Sequence, residues 1–236
     1  ESGLASYRRI IPLRKKITPY TEMDAQKGSV VLSFKDFTLK SEDKIRIKNL
    51  NLTLKDGEKL GITGPIASGK TLLRKAILKE IPYEGSLTIN GKEVSRRTRE
   101  ELSSYLVYRG HQANLFTDTI QNNIAFGDDK DVMPYLKKVD FMEDRNMRNE
   151  KENTIVGNRG IKLSGGQQER LSLARAFYHQ KKIRILDDPF NRVDLSTENT
   201  ILKNLEKERS ASLVLLISHR LDNFSQMDKI LLLHGD

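Results

Sequence analysis

Gly64-Pro65-Ile66-Ala67-Ser68-Gly69-Lys70-Thr71 fits the phosphate-binding pattern G-x-x-x-x-G-K-[ST] at every fixed position. Backbone N–H groups of such a loop can wrap a phosphate, and a helix starting at its end adds a favourable dipole. Lys70 would reach the β- and γ-phosphates, and the Thr71 hydroxyl would ligate Mg²⁺. Pro65, Ala67, Ser68 and Leu72 complete the candidate cradle around Gly64 and Gly69. A second stretch, Leu163-Ser164-Gly165-Gly166-Gln167, precedes the helical pattern Glu169 to Ala176. Ser164 stands at its N-cap, and Gly165 and Gly166 let backbone N–H groups approach a second anion. Two carboxylates, Asp187 and Asp188, end the apolar run from Ile183, and His219 follows another, Leu213 to Ile217.

These groups need elements to hold them. Lys59 to Thr63 reads as a short buried strand feeding the loop, and Leu72 to Leu78 as the helix leaving it. Val30 to Leu39 and Ile45 to Leu54 alternate in places, as antiparallel strands do, and Asp56-Gly57 is a turn signal after them. Ile183 to Asp187 and Leu213 to Ile217 are short apolar strands among helical stretches, the sign of a parallel sheet with helices on its faces. Residues from about 118 to 168 are more polar and helical, a separate helical lobe. The expected fold is α/β: a phosphate-loop core with a parallel sheet, an antiparallel β subdomain and a helical subdomain.

The composition is that of a globular chain, and its longest fully apolar run, Leu213 to Ile217, is far too short to span a membrane. With no cysteine, disulfides and thiolate metal sites are excluded. A net charge of +9 suits nucleotide phosphates, an anionic membrane surface or nucleic acid. Nucleic acid is not expected, because tryptophan is absent and the other aromatic residues lack a stacking pattern. Residues 1–28, with basic clusters at Arg8-Arg9 and Arg14 to Lys16 broken by Pro12 and Pro19, read as a solvated linker or as a segment near anionic headgroups. No secretory pattern opens the chain, and a start at Glu1 suggests excision from something longer.

In motif and order, residues 29–236 resemble the nucleotide-binding domain of an ATP-binding cassette (ABC) transporter. Gly64 to Thr71 resembles the Walker A motif, Leu163 to Gln167 the signature motif, and Ile183 to Asp187 Walker B. By that resemblance Asp187 holds Mg²⁺ with Thr71, and Gln112 is the Q-loop glutamine touching the metal. Asp194 is the D-loop aspartate, and His219 is the switch histidine at the γ-phosphate. Leu115 to Ile120 and Thr154 to Gly160 resemble two exporter loops. The resemblance implies ATP and Mg²⁺ as ligands and a second nucleotide-binding domain packed head to tail, as homodimer or heterodimer. Each ATP then lies between one Walker A and the other chain's Ser164, Gly165, Gly166 and Gln167. It also implies a transmembrane domain of the same transporter, which places the chain at the cytoplasmic face of a membrane.

Three departures alter that expectation. Asp188 stands where the family usually has the glutamate that handles the attacking water. Leu39 takes the position of the aromatic residue that stacks on adenine. Asn191-Arg192-Val193 is bulkier than the usual D-loop lead-in, and Asn158 replaces the usual acid of the exporter loop. With an intact signature, they suggest a slow ATPase whose own site is weakened and whose signature serves a partner. Two alternatives are a non-catalytic ATP-binding regulatory subunit and a soluble ABC ATPase on nucleic acid. The interval from Lys70 to Ser164 is too short to carry a chromosome-type coiled coil.

Overall fold

The computed structural model describes residues 28–41, 44–142, 152–157, 161–207 and 212–234. In chain order the strands are β1 (Val31–Ser41), β2 (Lys44–Lys55), β3 (Lys59–Thr63), β4 (Glu84–Ile89), β5 (Lys92–Glu93) and β6 (Leu106–Arg109), then β7 (Asp118–Thr119), β8 (Ile155–Val156), β9 (Ile183–Asp187), β10 (Leu213–Ile217) and β11 (Lys229–Leu232). They form three sheets: an antiparallel β2-β1-β4-β5, a parallel β11-β3-β10-β9-β6, and a ribbon of β7 and β8.

The central strands β3, β9 and β10 are mostly apolar because both faces of the sheet are covered there, whereas the edge strand β11 exposes Ile230 and Leu232. Alternation of side chains divides them between two cores. Ile183 and Ile185 of β9 and Leu213, Leu215 and Ile217 of β10 face the antiparallel sheet and the helix Lys70–Ile77. Leu186, Val214 and Leu216 point the other way, into a core with Leu171 and Phe177 of the helix Gly165–Tyr178 and Ile201 of the helix Leu195–Lys207. The parallel arrangement sends every strand of this sheet out in one direction. The loops after β3, β6, β9 and β10 therefore emerge at one edge, where α/β sheets bind ligands.

Within 118–168 the described residues form two short helices, Ile120–Ala125 and Met133–Lys138, and the β7–β8 ribbon. That ribbon pairs Asp118 with Val156 and Thr119 with Ile155, so the two exporter-like stretches are neighbours in space. Asn158 to Gly160, and all of 1–28 except Gly28, lie outside the described residues.

β1 corrects one expectation. Leu32 and Phe34 face inward, then Lys35 and the positive-φ Asp36 (φ 48°) bulge, and the register with both neighbours shifts. A bulge changes the parity of a strand. Phe37 and Leu39 consequently turn inward too, and Leu39 is fully buried against the core, opposite Ile47. It presents no face to a base, and the adenine contact expected of it is withdrawn.

Candidate functional site

The phosphate loop is held by a close backbone approach at Gly64. Gly64 adopts φ 151°, and a Cβ there would come within 2.2 Å of the Leu233 carbonyl oxygen and 2.7 Å of Ser68 Oγ. β11 therefore closes the back of the loop, through Leu233 N donating to Thr63 O at 2.8 Å as well. Ser68, Gly69 and Lys70 are buried, whereas Pro65, Ile66, Ala67 and Thr71 are exposed and Leu72 is half-buried. Lys70 Nζ donates to Gly64 O (2.5 Å) and Pro65 O (2.7 Å) and lies 3.4 Å from Ser68 Oγ. Burial lowers the pKa of this ammonium, while the charges of Asp188 and Asp187 oppose the shift.

Those two acids leave β9 directly beneath the loop. Asp187 Oδ2 accepts from Tyr108 Oη at 3.2 Å and lies 3.8 Å from Arg74 Nε, on the phosphate-loop helix. Arg74 in turn stacks over the Tyr108 ring at 4.9 Å. Burial pushes the Asp187 carboxyl up; the Tyr108 hydrogen bond opposes this, and the charge of Asp188 adds to it. The same burial, with Asp187 beside it, pushes the Tyr108 phenol up to about 12. Asp188 takes φ 43°, its N–H donating to Ile217 O at 2.9 Å. Its Oδ1 accepts from His219 N (3.3 Å), and its Oδ2 lies 3.8 Å from His219 Nε2.

Two adjacent carboxylates, one of them pushed towards protonation chiefly by burial and further by the other's charge, form a place where a divalent cation relieves repulsion. Asp187 and the Thr71 hydroxyl are oxygen donors of the kind Mg²⁺ prefers. Among the described residues no group of three or more His, Cys, Asp or Glu could hold a metal. Phosphate oxygens would have to complete the sphere, which is how Mg²⁺ is commonly bound.

The loop after β6 carries Gln112 and, next to it, His111. Gln112 is exposed, and its neighbour His111 has Nδ1 4.0 Å from Asp188 Oδ2. Arg109, also unmarked in the sequence, is buried at the end of β6. Its Nη1 donates to Asp187 O (3.1 Å) and Asp188 O (3.4 Å), and its Nη2 pairs with buried Glu169 on the signature helix. Desolvation holds this guanidinium down to about 10, against the charges of Asp187, Tyr108 and Asp188. A lone arginine gives no sequence signal.

Ser164 caps its helix as expected. Ser164 Oγ accepts from Gln167 N (3.2 Å), and Gln167 Oε1 accepts from Ser164 N (2.8 Å), a reciprocal capping box. Gly165 and Gly166 are required by close approach: a Cβ would meet Arg192 Cδ at 2.7 Å or Arg192 O at 2.6 Å. Asp194 likewise caps its helix, Oδ1 accepting from Thr197 N at 3.0 Å. Arg220, beside His219, reaches Val193 O (3.2 Å), Asn191 O (3.3 Å) and buried Glu198 Oε2 (3.0 Å), tying the segment after β10 to the loop after β9. Ser164→Ala is expected to cost about 1 kcal/mol by orphaning the Gln167 N–H. In a thermal melt that is a drop of roughly 2–4 °C for a domain of this size; an unchanged melt would show that water serves the cap as well.

A parallel sheet carrying a phosphate loop, two acids and a histidine at one edge defines a nucleotide-binding α/β domain. Residues 47–191, more than half of the chain, match the family described as ABC transporter. "Probable multidrug resistance ABC transporter ATP-binding/permease protein YheI" of Bacillus subtilis (strain 168) is 33% identical over 213 residues, covering 88% of this chain and 36% of its own. The ATP-dependent lipid A-core flippase of Francisella tularensis subsp. holarctica (strain OSU18) is 30% identical over 227 residues, 94% of this chain and 37% of its own. The structure of a bacterial Atm1-family ABC exporter with ATP bound superposes with a TM-score of 0.78 at 25% identity, over 98% of this chain and 43% of that one. The chain belongs to the ABC transporter family and has the fold of its ATP-binding domain. It spans well under half the length of these relatives.

Proposed function

We propose that this chain is the ATP-hydrolysing domain of an ABC exporter, working at the cytoplasmic face of a membrane and joined to a transmembrane domain. The observation that supports this best is the convergence of Lys70, Asp187, Asp188 and His219 at one edge of the parallel sheet. ATP lies with its phosphates on the loop from Gly64 to Thr71. Lys70 leaves the Gly64 and Pro65 carbonyls and neutralises the β- and γ-phosphates. Thr71 and Asp187 hold Mg²⁺, which when bound screens phosphate charge and fixes its geometry. Asp188 orients the attacking water, and His219 contacts the γ-phosphoryl oxygens. The signature residues Ser164, Gly165, Gly166 and Gln167, with Asp194, close over the ATP of a second such domain, whose own signature closes over this one.

The absence of native cysteine gives a direct test. One copy carries Ile66→Cys, at an exposed loop position, and the other Lys162→Cys, before the signature. Cross-linking between copies that appears only with Mg²⁺-ATP supports head-to-tail closure; cross-linking indifferent to ATP refutes it.

Asp188 makes this site slow. Its carboxylate stops about one methylene short of where glutamate would reach, and a displacement of about 1 Å can cost roughly 100-fold in rate. The intact signature serves the partner's ATP, an asymmetric division in a heterodimer. Asp188→Glu is expected to raise turnover at this site by about 10- to 100-fold, measured as ATPase of the assembly with the partner's catalytic carboxylate removed. No increase would mean that Asp188 does not limit the site, and a regulatory, non-hydrolysing role would then fit better.

A further inference from the structure

Arg192 stands in the loop between β9 and the helix Leu195–Lys207, among the residues that set this loop apart from the family. Its main chain is fixed. Arg220 donates to the carbonyls on either side of it, Asn191 O and Val193 O, and buried Val193 donates its own N–H to Phe190 O at 3.1 Å. The side chain, by contrast, is exposed and runs along the signature glycines. A Cβ on Gly165 would sit 2.7 Å from Arg192 Cδ and 3.5 Å from its Nη1, and one on Gly166 would sit 2.6 Å from the Arg192 carbonyl oxygen. The guanidinium therefore ends beside Gly165. The acids that follow it are engaged elsewhere, Asp194 with the Thr197 N–H and Glu198 with Arg220. Among the described residues no carboxylate pairs with Arg192.

We propose that Arg192 binds the γ-phosphate of the ATP held by the opposing domain, as a cation carried into that site together with the signature. This rests on the head-to-tail closure proposed above: a side chain lying on Gly165 meets what Gly165 meets. A guanidinium fork matches phosphate oxygens, and hydrogen bonds between two charged groups are the strong ones. An arginine without a carboxylate of its own gives up no ion pair when it binds a phosphate. Because ADP lacks the γ-phosphate, Arg192 favours closure around ATP over closure around ADP. The chain then lends its partner's site a full positive charge as well as the signature backbone, while its own site depends on the shorter Asp188.

The test follows the cross-link between Ile66→Cys on one copy and Lys162→Cys on the other as Mg²⁺-ATP is raised, with residue 192 varied on both copies. Arg192→Met keeps an apolar path over Gly165 and removes the charge. It should need about 10- to 100-fold more ATP for half-maximal cross-linking. Arg192→Lys keeps a cation and should recover part of that loss, which a purely structural role for the arginine would not give. Cross-linking with Mg²⁺-ADP should be the same in all three proteins. Closure of Arg192→Met at wild-type ATP concentrations overturns the proposal, as does Arg192→Lys behaving no better than Arg192→Met, or an equal change with ADP. Each of these results leaves head-to-tail closure standing. Absence of ATP-dependent cross-linking with arginine in place overturns that closure and this contact with it.

Discussion

Arg109→Leu is expected to lower the free energy of unfolding by about 3–5 kcal/mol. Arg109 and Glu169 are both buried, 3% exposed each, so loss of the guanidinium leaves a carboxylate in the core without its partner. It also removes a donor from the carbonyls of Asp187 and Asp188. A domain of this size has only about 5–15 kcal/mol in total, and a loss this large lowers the melting temperature by roughly 6–20 °C. The double variant Arg109→Leu, Glu169→Leu is the informative companion. Replacing a whole buried pair by apolar residues is often close to neutral, so the double variant should recover most of the lost stability. Chemical denaturation of the four-member cycle gives the coupling directly. If Arg109→Leu is as stable as the wild type, or the double variant is no better than the single, the buried pair does not hold the signature helix to the acid-bearing strand.

The same residue marks the boundary of what the sequence makes legible. Walker A could be read because its chemistry fixes residue types at fixed spacing, and the loop lies where the motif put it, with Lys70 in the field of both acids. The N-cap at Ser164 was legible for a similar reason: serine followed three residues later by glutamine is a local pattern with a local cause. β10 was legible as an unbroken apolar run and β9 as a mostly apolar one, as doubly covered strands need. What failed depended on register and on long-range pairing. Leu39 was placed by resemblance to the family's adenine-stacking position, whereas the bulge at Lys35 and Asp36 turns it into the core. Arg109 meets Glu169 across a gap in sequence that no local pattern spans.

Lys70→Met separates the cost of the phosphate loop from its use. The buried ammonium is held below its ordinary pKa because burial disfavours the charge more than Asp188 and Asp187 favour it. A lysine whose folded pKa is lowered opposes folding wherever it is charged, which is everywhere below that pKa, neutral pH included. Methionine keeps an apolar side chain of similar length without the charge. The nucleotide-free variant should therefore melt at the wild-type temperature or above. The ATP-bound state should behave oppositely. Ligand at 100 times its Kd stabilises by about 2.7 kcal/mol, and that increment should vanish in the variant along with the amine that meets the γ-phosphate. Turnover of the assembled protein should fall by about 10²–10³-fold, the usual effect of losing one group that meets developing charge. The two melts and the rate answer different questions. An unstable nucleotide-free variant would mean that the contacts from Lys70 to the Gly64 and Pro65 carbonyls hold the fold together rather than store a cation for the phosphate. A stable variant that still gains the full ATP increment and turns over normally would remove Lys70 from the site altogether.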